Sequence, residues 1–240
     1  MTHGPSHTTR PASSSEVVPF RVDGELSCVD HIASDDRLLR EGHPLVRVVV
    51  LSDRAASFGV GMPSESPRLE RARDRGFAVV RRSTGGTTVF HEPGDLAWSI
   101  VLPRSHARVG VDFTRAYGRL GAGILRFLEE LGIAAGWVDP PGISEDYCLL
   151  SSRGQVVAVG PKVVGGAAQH LTASALLHHG VLAWTVETDE IGRVFEIPVE
   201  VVRSRLSGLS DFGVEGPPER LATSLARRIS ESLESPRPEG

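Results

Sequence analysis

The sequence predicts an α+β (mixed α/β) fold with a mixed, largely antiparallel sheet and flanking helices. Strand-like and helix-like segments alternate from residue 17 to residue 234, with no linker and no internal repeat between them. The strand-like segments are short, rich in β-branched residues and bounded by Gly, Pro or Asp. Many are joined by hairpin-like loops, too short for the crossovers that parallel pairing requires. The expected organisation is a disordered polar leader over 1–18, one domain over 19–234 and a disordered tail over 235–240.

In chain order, strands are expected at Leu45–Leu51, 77–82, 95–102, 133–138, Gln155–Val159 and 180–186. A polar helix is expected over 67–75, before the second of these strands. Asp112 can cap a longer helix whose stripe is Phe113, Tyr117, Leu120, Ile124, Phe127, Leu128 and Leu131, with Gly132 as its stop. That stripe reads as core packing. The last helix follows Pro217-Pro218 and carries Leu221, Leu225, Ile229 and Leu233 at four-residue steps, with Arg227, Arg228 and Glu231 on its other face.

Composition excludes several classes. A net charge of −4 leaves no broad basic field for phosphates, so no nucleic-acid partner is expected. No apolar run reaches the roughly 18 residues that span a bilayer, so no membrane partner is expected either. Two cysteines, Cys28 and Cys148, make no disulfide framework and no zinc motif, which fits a reducing cytoplasm. The 26 basic residues comprise 25 arginines and one lysine, Lys162. Codon bias explains the arginines and could explain the lone lysine as a survivor. The other reading is a position that needs a compact ammonium.

Four segments carry chemistry. In the first, a strand ends in Arg81-Arg82 and Gly85-Gly86 opens a turn before Thr87-Thr88-Val89-Phe90-His91. Glycine backbone N–H groups and fixed guanidinium charge suit a phosphate or carboxylate, and a Gly-Gly hairpin with exposed arginines is the plain alternative. In the second, Lys162 follows a tight turn and leads Val163-Val164-Gly165-Gly166-Ala167. An ammonium against apolar surface is partly desolvated and more available to a carbonyl or thiol. The third is Cys148, fourteen residues before that lysine, either a buried inert thiol like Cys28 or a nucleophile. The fourth is His178-His179, whose side chains leave opposite faces of a strand and cannot share one metal, so no metal site is expected.

Together these segments resemble the biotin/lipoate protein ligase family, in its lipoate/octanoate branch. Arg81-Arg82, Gly85-Gly86 and Val89-Phe90-His91 look like its arginine–glycine signature. Lys162 with Val-Val-Gly-Gly-Ala-Ala-Gln169 matches its lysine motif, and Leu177-His-His-Gly-Val-Leu182 the strand that follows. A weaker match lies at Ser204-Arg-Leu-Ser-Gly-Leu209, so the resemblance runs from residue 39 to residue 209.

The resemblance implies a class II synthetase-like catalytic domain and an enzyme of protein lipoylation. It places an octanoyl or lipoyl group on one lysine of a lipoyl domain, in a 2-oxoacid dehydrogenase or the glycine-cleavage H protein. In the transferase mechanism, octanoyl-acyl carrier protein acylates Cys148, Lys162 activates that thiol, and no cofactor is needed. In the ligase mechanism, ATP and Mg with a free acid form an acyl-adenylate against Lys162, and Cys148 is a bystander. The implied substrate-binding residues are Arg81, Arg82, Gly85, Gly86, Thr87, Thr88, Val89, Phe90, His91, Gly165, Gly166 and Ala167, with Val164 offering apolar surface to the acyl chain. Burial of each methylene there is worth about 0.8 kcal/mol.

Departures point both ways. Thr87-Thr88 replace the third glycine and alanine of the ligase pattern, and no accessory domain like the ligase's is expected. His91-Glu-Pro-Gly-Asp95 is more ligase-like, and Cys148 sits in an unexpected Tyr-Cys-Leu-Leu context. The Gly-Arg-Gly-Arg loop of biotin ligases is absent. A non-catalytic protein that only binds an acyl group or its carrier is the remaining alternative.

Overall fold

In a computed structural model the described residues are 17–109, 113–139, 141–151 and 155–234. The expected tail, most of the expected leader and the Asp112 cap lie outside them.

Among the described residues one sheet has seven strands in the order β1-β2-β6-β10-β9-β8-β7. These are β1 Phe20–Leu26, β2 Leu45–Leu51, β6 Leu96–Pro103, β7 Gly136–Val138, β8 Gln155–Val159, β9 Lys162–Leu171 and β10 Ala175–Leu182. All its pairings are antiparallel except β1–β2. A three-stranded sheet, β4-β3-β5, joins β3 Ala55–Phe58 to β4 Ala78–Arg81 in parallel and to β5 Thr88–His91 antiparallel. The mixed, largely antiparallel expectation holds.

Strands β2 and β6 are mostly apolar on both faces because both faces are covered. Val46, Val48 and Val50 of β2 and Trp98, Ile100 and Leu102 of β6 pack under three helices: α3 Phe113–Leu120, α4 Ala122–Glu130 and α7 Pro218–Leu233. The alternate residues Val49 and Leu51 meet Cys28 and Ile32 of α1 Cys28–Glu41. Ser27 caps α1 by accepting the Asp30 N–H, and Gly42 ends it in the left-handed conformation. The small sheet, α2 Pro67–Asp74, α5 Thr188–Phe195 and α6 Val199–Arg205 enclose a second cluster around Phe77, Phe90, Tyr147 and Phe195.

Three expectations need correction. The expected 112–131 helix is two helices with a break at Gly121. There the Trp137 indole donates to the Gly121 carbonyl at 3.1 Å, and a side chain on Gly121 would fall 2.4 Å from that ring. The expected 180–186 strand is instead β10, which begins at Ala175, because both neighbours pair with it from that end; beyond Leu182 the chain turns toward Asp95, whose carboxylate takes the Trp184 N–H. The 133–138 strand shrinks to β7. The helix over 67–75, the final helix and the hairpin leading to Lys162 stand where expected. No helix of the described residues is long and apolar enough to cross a membrane.

Candidate active site

The Arg82–Thr87 loop joins β4 to β5 and lies over the end of β3, since β3 pairs with both. Arg82, buried at 4% exposure, holds it together from inside. Its guanidinium donates to the Ser57 carbonyl (2.9 Å) and hydroxyl (3.3 Å), and to the carbonyls of Gly85 (2.8 Å) and Thr87 (2.9 Å). A buried guanidinium spent on backbone carbonyls orders a loop better than it receives a phosphate. Burial pushes the Arg82 pKa down; the thiols of Cys148 and Cys28 and the phenol of Tyr117 are the groups that oppose the shift.

The Cys148 segment is pinned to this loop by backbone. Thr88 N–H donates to the Asp146 carbonyl at 3.2 Å, and Thr88 and Tyr147 form a parallel bridge. A short 3-10 turn over Cys148–Leu150 then aims the thiol at Gly86. Gly86 has φ +88°, and a Cβ on it would lie 2.9 Å from Arg82 Nη2 and 3.2 Å from Cys148 Sγ. Glycine is therefore required twice over, for its dihedral and for the space the thiol and guanidinium occupy. Half-buried Cys148 is accessible, whereas Cys28 is fully buried and its pKa is pushed up by that burial.

The thiol opens into a cleft with about 560 Å³ of empty space, part of it open solvent. Ile32, Val89, Ala97, Leu149, Val156 and Val181 make its walls, and Gly166, Ala167 and Ala168 of β9 leave room beside them. Cys148, Ser57, Arg82, His91, His31, Gln155 and His179 are its polar residues. Ser57 Oγ accepts from Arg82 and lies 2.8 Å from His91 Nε2. His91 Nδ1 is buried and has no hydrogen-bond partner among the described residues. Burial, and then the nearby His31 and Arg82 charges, push His91 down to about 3, so the ring is neutral at pH 7.

Of the expected binding residues, Arg82, Val89, His91, Gly166 and Ala167 line this cavity and Gly86 abuts the thiol. Others sit elsewhere. Arg81 is exposed, stacks 5.0 Å over Phe58 and donates to the Val60 carbonyl. Thr88 and Phe90 face away from the cavity, as alternation along β5 dictates, and Phe90 stacks on Phe77. A Cβ on Gly165 would fall 2.2 Å from the Val181 carbonyl, so this glycine serves strand contact, and Val164 belongs to the helix-covered core. Gly85 is open to solvent and Thr87 contributes its carbonyl to Arg82. Half-buried Lys162 does not line the cavity; its ammonium donates to the Arg203 carbonyl at the end of α6.

Sequence reasoning missed Ser57, His31 and Asp35. They lie in segments with no motif, and only the pairing of β3 with β5 and the docking of α1 bring them in. His178 and His179 do leave opposite faces of β10. His178 packs among Trp98, Tyr117 and Trp137, and His179 reaches Asp35. His31, Asp35 and His179 place metal-type donors within 4.8 Å of one another. Arg47 carries only N–H groups, so its 2.9 Å contact makes His31 Nδ1 the acceptor and leaves the proton on Nε2, the atom a metal would need. The cluster is a hydrogen-bonded network.

Residues 28–230 match the family model of the lipoyl protein ligase A/B catalytic domain. An octanoyltransferase LipM of Brevibacillus brevis is 28% identical over 204 residues, which cover 78% of this chain and 73% of that protein. A protein of Aeropyrum pernix, provisionally named lipoate-protein ligase A, is 36% identical over 171 residues, covering 68% of this chain and 56% of its own length. Among solved structures, a lipoate-protein ligase A bound with ATP aligns with TM-score 0.72 at 23% identity, covering 90% of this chain and 85% of that one. A structure of a bi-partite lipoate protein ligase and its E2 lipoyl domain from Thermoplasma acidophilum aligns with TM-score 0.70 at 24% identity, covering 90% and 84%. These two likenesses bear on the fold.

Proposed function

This chain belongs to the lipoyl protein ligase A/B catalytic domain family, and on that premise we propose that it is a protein-lipoylation acyltransferase working through a thioester on Cys148. The observation that carries this reading is the placement of Cys148 Sγ against Gly86 and Arg82, at the polar residues of an otherwise apolar cavity. The sulfur attacks the carbonyl of an octanoyl thioester on acyl carrier protein. The bond to the carrier's sulfur breaks, and that sulfur leaves and takes up a proton. The ε-amine of a lipoyl-domain lysine then attacks the Cys148 thioester, an amide forms, the amine gives up a proton and the free thiol returns. The apolar walls hold the chain, and Arg82 keeps fixed charge beside the sulfur. Lys162 enters as a second cation that must leave the Arg203 carbonyl to reach the acyl group. The acceptors are lipoyl domains, of 2-oxoacid dehydrogenases or the glycine-cleavage H protein, and the expected location is the cytoplasm.

The second reading is an ATP-dependent lipoate ligase, favoured by the 36% identity to the Aeropyrum protein. The cavity fits its cofactors poorly. Among the described residues none that lines it is a carboxylate that could hold Mg²⁺, and Arg82 is engaged by carbonyl oxygens. Intact mass after incubation with octanoyl-acyl carrier protein, without ATP, separates the two. An octanoyl adduct is expected on Cys148 and is lost in Cys148→Ser. No adduct, with transfer appearing only when ATP and free acid are added, would overturn the thioester reading in favour of the ligase.

A further inference from the structure

The Gly85-Gly86 turn is anchored at its base by a buried line of side chains. Thr84 is fully buried, and its Oγ1 lies 2.8 Å from Nε2 of His179. Nδ1 of His179 lies 2.7 Å from an oxygen of Asp35, which is itself 1% exposed. The partners come from across the fold. Arg47, Ser99 and His179 stand in register on the neighbouring strands β2, β6 and β10. Asp35 descends from α1 onto that row, where it accepts the Ser99 hydroxyl and meets Arg47 Nη1 at 3.5 Å.

Two donor directions are fixed. Arg47 donates to His31 Nδ1, so His31 turns its Nε2–H toward Asp35 at 3.6 Å. Burial opposes ionisation of Asp35, but the His31 and His179 interactions and the Ser99 hydrogen bond outweigh it and hold its pKa below the usual value. A carboxylate accepts only, so His179 donates to Asp35 from Nδ1, and its Nε2 faces the Thr84 hydroxyl. Threonine, imidazole and carboxylate are connected as in a nucleophilic triad, yet Thr84 has no exposure and does not line the cavity. It cannot be the attacking group. Its carbonyl instead accepts the Val60 N–H at 2.9 Å, so its position sets how the loop sits on the end of β3.

We propose that His179, oriented by Asp35, is a positioning residue that anchors Thr84 and so keeps Gly86 and Arg82 against Cys148. The role rests on the reading of Cys148 as the acylated nucleophile. Thr84→Val removes the hydroxyl at nearly constant volume, Thr84→Ser restores it, and Asp35→Asn frees the imidazole. In Thr84→Val, amide exchange at Gly59 and Val60, whose N–H groups bond to this loop, should accelerate about tenfold, the equivalent of one ordinary hydrogen bond. Acylation of Cys148 by octanoyl-acyl carrier protein should slow about tenfold, with KM within twofold. Thr84→Ser should recover both, and Asp35→Asn should behave like Thr84→Val. Unchanged exchange and acylation in Thr84→Val would overturn the proposal, as would an equal loss in Thr84→Ser or faster exchange with normal acylation. If the wild-type protein forms no adduct at all, the thioester reading fails, and the exchange measurement still decides whether Thr84 holds the loop.

Discussion

At Gly86 one missing Cβ makes room for both a guanidinium and a thiol. Alanine there would need φ near +88° and would place its methyl 2.9 Å from Arg82 Nη2 and 3.2 Å from Cys148 Sγ. Gly86→Ala is therefore expected to destabilise the protein by about 1–3 kcal/mol and to cut Cys148 acylation more than tenfold. Gly85→Ala is the control, since its Cβ would meet nothing within 4 Å; it should acylate normally. Equal behaviour of the two variants in an acylation assay would contradict the packing argument. At this scale Gly86, Arg82 and His91 come together because they follow one another along one short segment, and that order is the signal a sequence carries. No such signal places Lys162. Being the lone lysine says nothing about direction, and the ammonium turns to the Arg203 carbonyl.

At the scale of elements, α4 crosses α7 at a glycine. A Cβ on Gly123 would lie 2.4 Å from Ile229 Cα and 2.5 Å from the Arg228 carbonyl, both rigid backbone of α7. Gly123→Ala should cost about 1–3 kcal/mol through overpacking. Gly118→Ala, on the exposed side of α3 with nothing within 4 Å, should gain up to about 1 kcal/mol from helix propensity. Thermal melts of the pair test this, and a shift in the same direction for both would count against it. The stripe from Leu120 to Leu128 was visible in the sequence because helical periodicity survives a break of one residue. The break itself was not, since its cause, Trp137, is sixteen residues away and arrives only when β7 pairs with β8. Helix α1 carries both His31 and Asp35 and was not expected, because its buried face is partly polar and gives a weak apolar rhythm.

Across the whole molecule, buried histidines set the pH dependence of stability. Burial pushes His31 down to about 4 and His91 and His178 to about 3, from an ordinary 6.5. The unfolded chain thus binds more protons than the folded one below pH 6.5, and stability falls as pH drops from there toward 4, by up to about 1.4 kcal/mol per pH unit for each ring. Asp95 opposes this. Burial raises it to about 8 despite two backbone N–H donors, so its contribution shrinks as pH rises from 4 to 8. Three groups outweigh one, and denaturant titrations should show lower stability at pH 5 than at pH 7 by a few kcal/mol. Equal midpoints with equal slopes would show that these rings are not neutral in the fold.

Periodicity and motif order carry the α+β class and the family resemblance; the partner they suggest for Cys148 is Lys162, whereas the fold sets the thiol against the arginine–glycine loop. Short motifs and strand periodicity are local, and a linear reading captures them. Packing in three dimensions turns Arg82 to carbonyls instead of anions, turns Thr88 and Phe90 from the cavity while Val89 and His91 enter it, and brings Asp35 and His179 together across 144 residues beneath the loop. These outcomes depend on which strand faces which helix, and hydrogen-bond partners are chosen by distance in space, for which separation along the chain is no guide.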